Sequence, residues 1–189
     1  MAPSPMRSFD PVRVGRLEAR AWETYYRREW RSFLVASVGL VRSAFRMGWP
    51  KTLAGAWLVL RANQVWAPFP DNDPDKARRL MRRFYAMLAT PDPARASELE
   101  VEWWRVHRDH QHEPGSTSEP LTDALAALYA HVYGADLGAV RTAAALRAEA
   151  MDVSDRWVEA GCDPDSPMLG EERALLVRSY ASLLAAVHR

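Results

Sequence analysis

Cysteine is nearly absent: Cys162 is the only one in 189 residues, so no internal disulfide can form and the chain must be held by packing alone. A reducing cytoplasm is the simplest setting for such a chain. Long apolar runs are missing too. The longest, Phe33 to Val41 and Thr52 to Leu60, are each followed at once by arginine and fall well short of the ~20 residues that cross a bilayer, so they predict buried core and no transmembrane segment. Met1-Ala2-Pro3-Ser4-Pro5 leads into arginine and aspartate rather than an apolar stretch, and no secretory signal is read there. No Gly-rich phosphate loop, Gly-x-Ser-x-Gly elbow or Cys-x-x-Cys pair occurs, which removes the most readable enzyme classes.

What remains is a globular composition, 48% hydrophobic and 26% charged. A chain of this length can bury about 70% of its unfolded surface in one domain, taken as residues 1–189 with 1–10 as a flexible N-terminal tail. Net charge is +1, yet residues 1–90 carry 16 Lys and Arg against 7 Asp and Glu, whereas residues 91–189 carry 9 against 17. The favoured expectation is that basic and acidic helices pack together and neutralise one another; the alternative is that the basic half meets an anionic partner. Nucleic acid is not expected, because no zinc-finger spacing, helix-turn-helix or aromatic-basic RNA motif accompanies the charge.

Helical periodicity runs through most of the chain, punctuated by proline and glycine. Val12 to Met47 lacks proline and repeats apolar residues at helical spacing, predicting one long first helix of about 50 Å unless Gly39 breaks it. Lys51 to Trp66 follows, with Leu53, Trp57 and Leu60 as its apolar positions. A third helix opens on Asp73 and Pro74; further helices are predicted at about Ala94–His112, Glu119–Tyr133, Asp136–Ala160 and Pro167–Val187. Ser97 with Glu100 has capping-box spacing, and residues 113–118 read as the clearest loop. The expected fold is therefore all-α, a bundle of six or seven helices with an extended first one.

Asp71, Asp73 and Asp75 imitate the start of a calcium loop, but Lys76 and Arg82 stand where that loop needs glycine and glutamate, so capping is the better account. The segment from Glu98 to His112 holds more chemistry. Leu99, Trp103, Val106 and His110 share one helical face, with Glu100 and His107 on its flank. Imidazole and carboxylate suit zinc or iron, and a half-desolvated histidine titrates near neutrality. Glu29 interrupts the stripe of Trp22, Tyr25, Tyr26, Phe33 and Ala36, and Arg147 interrupts the stripe of Val140, Ala144 and Met151, with Asp155 close by. A buried Glu29–Arg147 ion pair is the structural expectation.

These residues give two functional expectations. The first is a binding protein for a small apolar or aromatic ligand, held by Tyr25, Tyr26, Trp103 and His110, or for a protein partner; a homo-oligomer is compatible with it. The second is an oxidase-like enzyme with a metal among Glu29, Glu100, His107 and His110, its catalytic candidates being Glu29, His107, His110, Arg147 and Asp155 between predicted helices one, four and six. A transition metal is the only cofactor type suggested, and folding requires none. The Glu-x-x-His element of ferritin-like di-iron proteins is absent from the chain.

Overall fold

Asp10 starts the first helix, its carboxylate accepting the amides of Val12 (3.0 Å) and Arg13 (3.2 Å) while Pro11 fills the first turn. The computed structural model describes residues 5–112 and 117–188. Among these the chain forms a short 3-10 turn at Pro5–Arg7 and then α1 (Pro11–Tyr26), α2 (Trp30–Phe45), α3 (Trp49–Trp66), α4 (Pro74–Met87), α5 (Pro93–His112), α6 (Glu119–Tyr133), α7 (Leu137–Glu159) and α8 (Met168–Val187), with no strand. The class is all-α as expected, with eight helices instead of six or seven.

The extra helix comes from the predicted long rod, which is broken at Arg27–Glu29 and not at Gly39. Arg28 takes a left-handed conformation (φ 60°), and the Glu29 amide reaches back to the Thr24 carbonyl at 2.8 Å. Charge replaces the missing glycine. Glu23 binds Arg20 (3.0 Å) and Arg27 (3.2 Å), and Glu29 binds Arg27 (3.0 Å), clamping the reversal. Folding α2 back beside α1 lets both apolar stripes reach one core, which a straight rod would overshoot; Gly39 then lies against Leu17, where a β-carbon would sit 3.2 Å from it.

Elsewhere the punctuation acts as read. Asp73 caps α4 through the Lys76 amide (2.8 Å), Asp136 caps α7 through Ala139 (3.0 Å), and Gly134 ends α6 at φ 58°. Ser97 does not cap: Asp92 takes the amides of Ala94 and Arg95, and the Ser97 hydroxyl donates to the Ala94 carbonyl inside α5. Met6 and Phe9 are buried, and Arg7 donates to the carbonyls of Val187 (3.3 Å) and Tyr133, so this part of the expected tail is packed. Residues 113–116 of the predicted loop lie outside the described residues.

Helices α3 to α8 pack each on the next, and α1 lies on α8. At Gly15 a β-carbon would come within 2.7 Å of the Val177 backbone nitrogen, so only glycine permits this approach of α1 to α8. Val14, Leu121, Leu125, Val140, Met151 and Leu183 form the dry centre. In α2 the expected positions Ala36 and Ala44 are buried and Leu40 packs on the core, but α3 is turned differently from expectation. In α3 the buried stripe is Thr52, Gly55, Leu58 and Ala62, whose small members let Phe84 and Met47 close in, while Leu53 and Trp57 face outwards. Large apolar side chains on the outside of an ordered helix are the feature most in need of a physical explanation.

Candidate functional site

Six helices each place a polar side chain in the interior. Arg147 of α7 is at its centre: one terminal nitrogen donates to Glu18 Oε1 of α1 at 2.6 Å, the other lies 3.4 Å from the Tyr129 hydroxyl of α6. Tyr180 of α8 donates to the second Glu18 oxygen at 2.6 Å. Tyr85 of α4 donates to Glu100 of α5 at 2.5 Å, and the Arg147 guanidinium lies 5.0 Å from the centroid of the Trp103 ring. Glu18 is only 2% exposed. A carboxylate taken that far from water needs charge and hydrogen bonds together, and Arg147 with Tyr180 supplies both.

The surroundings fix the protonation states. Burial pushes up the pKa values of Tyr85, Tyr129, Tyr133 and Tyr180, so these phenols remain proton donors. Glu100 is raised by burial, with Tyr85 and Arg147 pulling the other way. Burial alone would weaken the Arg147 cation, but Glu18 and the neighbouring phenolic oxygens hold its pKa well above the ordinary arginine value.

A second buried acid lies on α8. Glu172 is 1% exposed, neither of its oxygens finds a hydrogen-bond partner among the described residues, and its pKa is raised to about 8 by burial, then by the charges of Glu18 and Glu23. Tyr26 is raised to about 12 by burial and by the nearby charges of Asp155, Tyr25 and Glu172.

The predicted residues divide into those that meet and those that do not. Glu100, Trp103 and Arg147 join one network. His107 meets Asp155 across α5 and α7, Nε2 to Oδ2 at 3.0 Å, with Gln111 donating to the other Asp155 oxygen at 2.7 Å. His110 meets Asp152 at 2.9 Å. Glu29 is elsewhere: it precedes α2, about one-third exposed, and its partners are Arg27 and Arg20. The expected Glu29–Arg147 pair is thus replaced by Glu18–Arg147, because the break after Tyr26 turns Glu29 out of the stripe. Glu29, Glu100, His107 and His110 do not form a cluster, and among the described residues no three His, Cys, Asp or Glu side chains converge closely enough to hold a metal.

The four proposed ligand contacts also separate. Tyr25 is exposed in a cluster with Tyr26, Trp30 and Phe33, while Trp103 faces Arg147. His110 lines a hollow of about 170 Å³ with Val106, Thr117, Pro120 and Leu121, and a larger one of about 300 Å³ runs along α1 beside Val12, Arg16 and Leu17. Neither hollow is lined by Glu18, Glu100 or Arg147. The interior can fix charge and hold protons, and it ties α1, α4, α5, α6, α7 and α8 together.

Helices α2 and α3 contribute nothing to that network. Their outer side carries Trp30, Val35, Trp49, Leu53 and Trp57, all between 55% and 75% exposed, with Leu34 beside them. Trp49, Leu53, Trp57 and Leu60 recur at helical spacing along α3, and the Arg42 guanidinium of α2 stacks 4.0 Å from the Trp49 ring, joining the two helices where α3 begins. Sequence reasoning placed Leu53 and Trp57 in the core; the signal that separates them is the small-residue stripe on the opposite side of α3. No protein-family model, curated protein or solved structure matches this chain.

Proposed function

We propose that this chain is a binding protein that docks onto a partner through the outer face of α2 and α3. One observation carries the reading: two adjoining helices hold large apolar side chains in water while six others are bound to one another by a buried polar network. Water-exposed tryptophan on rigid helices is costly to leave uncovered and effective as a binding anchor. The partner's surface is anionic. Residues 30–70 contain Arg31, Arg42, Arg46, Lys51 and Arg61 and no Asp or Glu. None of these five cations has a carboxylate within ion-pair distance among the described residues. In this reading the Glu18–Arg147 network is a frame that keeps the docking helices in place, and the partner-binding expectation is favoured over the small-ligand one because the hollow that His110 lines includes neither Tyr25 nor Trp103.

Extracts of the source cells test this. The 21.4 kDa protein is expected in a much larger assembly or in the sedimenting fraction, and the double variant Leu53→Glu with Trp57→Glu is expected at monomer size. Wild type and variant running alike as monomers would overturn the reading.

A further inference from the structure

From the same face we infer that the partner is an anionic lipid surface, which α2 and α3 enter lying flat in the headgroup region. This rests on the docking reading above and adds the identity of the partner. Helices that lie in a bilayer interface pair an apolar side rich in tryptophan and leucine with arginine and lysine at its margin, and sink about 5–10 Å. Here Trp30, Leu34, Val35, Trp49, Leu53 and Trp57 are the exposed apolar residues, and Arg31, Arg42, Lys51 and Arg61 are interleaved with them on the same two helices. Arg42 and Arg61 stand 4.0 and 5.9 Å from the rings of Trp49 and Trp57, so each cation accompanies an indole, the pairing that suits the level where phosphate and acyl chain meet. No helix among the described residues is long and apolar enough to cross a membrane, so attachment by this face is peripheral.

Charge separates this occupant from the others. A second copy bringing the same face would set these four cations against four with no acid between them in residues 30–70, which opposes a two-fold dimer. A nucleic-acid backbone would satisfy the arginines and leave Leu34, Val35 and Leu53 against phosphate. An acidic protein must present pockets for rings that project outwards, whereas a fluid bilayer moulds itself around them. The neighbouring helices reinforce the sign: Arg79, Arg82 and Arg83 on α4 are exposed, and α1 exposes Arg13 and Arg16.

The test is flotation of the full chain with vesicles of phosphatidylcholine, alone or with about one-third phosphatidylglycerol. The wild type is expected to float with the anionic vesicles, to lose binding as salt rises, and to show tryptophan fluorescence that shifts blue and is quenched by brominated acyl chains. Arg31→Gln, Lys51→Gln and Arg61→Gln together should weaken the partition roughly 100-fold, about fivefold for each charge. Leu53→Glu with Trp57→Glu should abolish it. Failure of the wild type to float, or equal binding to both vesicles, overturns the lipid inference, whatever the variants do. If the wild type fails to float yet still occupies a variant-sensitive assembly in cell extracts, the docking reading stands with a protein partner. If light scattering shows a dimer that Leu53→Glu with Trp57→Glu disperses, a second copy is the occupant and the lipid inference falls.

Discussion

Glu18→Gln is expected to lower the unfolding free energy by about 3–5 kcal/mol, a large part of the roughly 5–15 kcal/mol that holds a domain together. The glutamine fits the same space, so shape is not the cause. What is lost is the negative charge 2.6 Å from Arg147, leaving a guanidinium enclosed by Tyr129, Trp103 and hydrocarbon. Arg147→Met should also destabilise, since Glu18 then keeps only the Tyr180 hydroxyl. The double variant, with neither charge buried, should cost clearly less than the two single losses combined. Urea unfolding of the four proteins measures this. Additive losses, or single losses under about 1 kcal/mol, would mean that the pair is not the keystone of the six-helix frame.

Glu172→Gln works in the opposite direction, raising stability by about 4 kcal/mol at pH 7.5 and changing little near pH 4. The Glu172 pKa is raised in the folded chain to about 8, against an ordinary value of 4.5. Between those values the folded protein keeps a proton that the unfolded chain releases. Wild-type stability therefore falls as pH rises through this window, by up to about 1.4 kcal/mol per unit, and this loss ends above pH 8. Glutamine does not titrate, so the slope flattens, although Glu100, raised in the same direction by burial, leaves some of it in place. Thermal midpoints of both proteins from pH 4 to 8 give the comparison; parallel curves would show that Glu172 is not a buried neutral acid.

Much of the fold was legible because proline, glycine and aspartate mark its joints. Asp73 with Pro74, Asp136 and Gly134 each fulfil the role their chemistry suggests. The reversal at Arg27–Glu29 was not legible, since no residue there is a helix breaker and the turn is held by ion pairs that exist only after folding. Part of the interior was visible as polar residues interrupting apolar stripes: Arg147, Glu100 and the histidines facing α7. Glu18 and Glu172 carried the same signal and were missed. Glu18 is one turn from both Val14 and Trp22, and Glu172 stands between Leu169 and Leu175. Each is flanked by other charges, Arg16 and Arg20 or Glu171 and Arg173, which made it read as part of a solvated face.

The outer face of α3 shows where periodicity stops being informative. This helix is apolar on nearly every side, so spacing alone cannot say which stripe is buried. Close packing decides it, because Gly55 and Ala62 allow α4 to approach and the bulky residues are left outside.

The most direct measurement is the thermal and urea stability of the purified Leu53→Glu, Trp57→Glu variant beside wild type. A docking surface that is free in the isolated protein predicts agreement within about 0.5 kcal/mol, as for ordinary exposed positions. A loss of several kcal/mol would place those side chains in the core and leave α2 and α3 with no face to offer a partner.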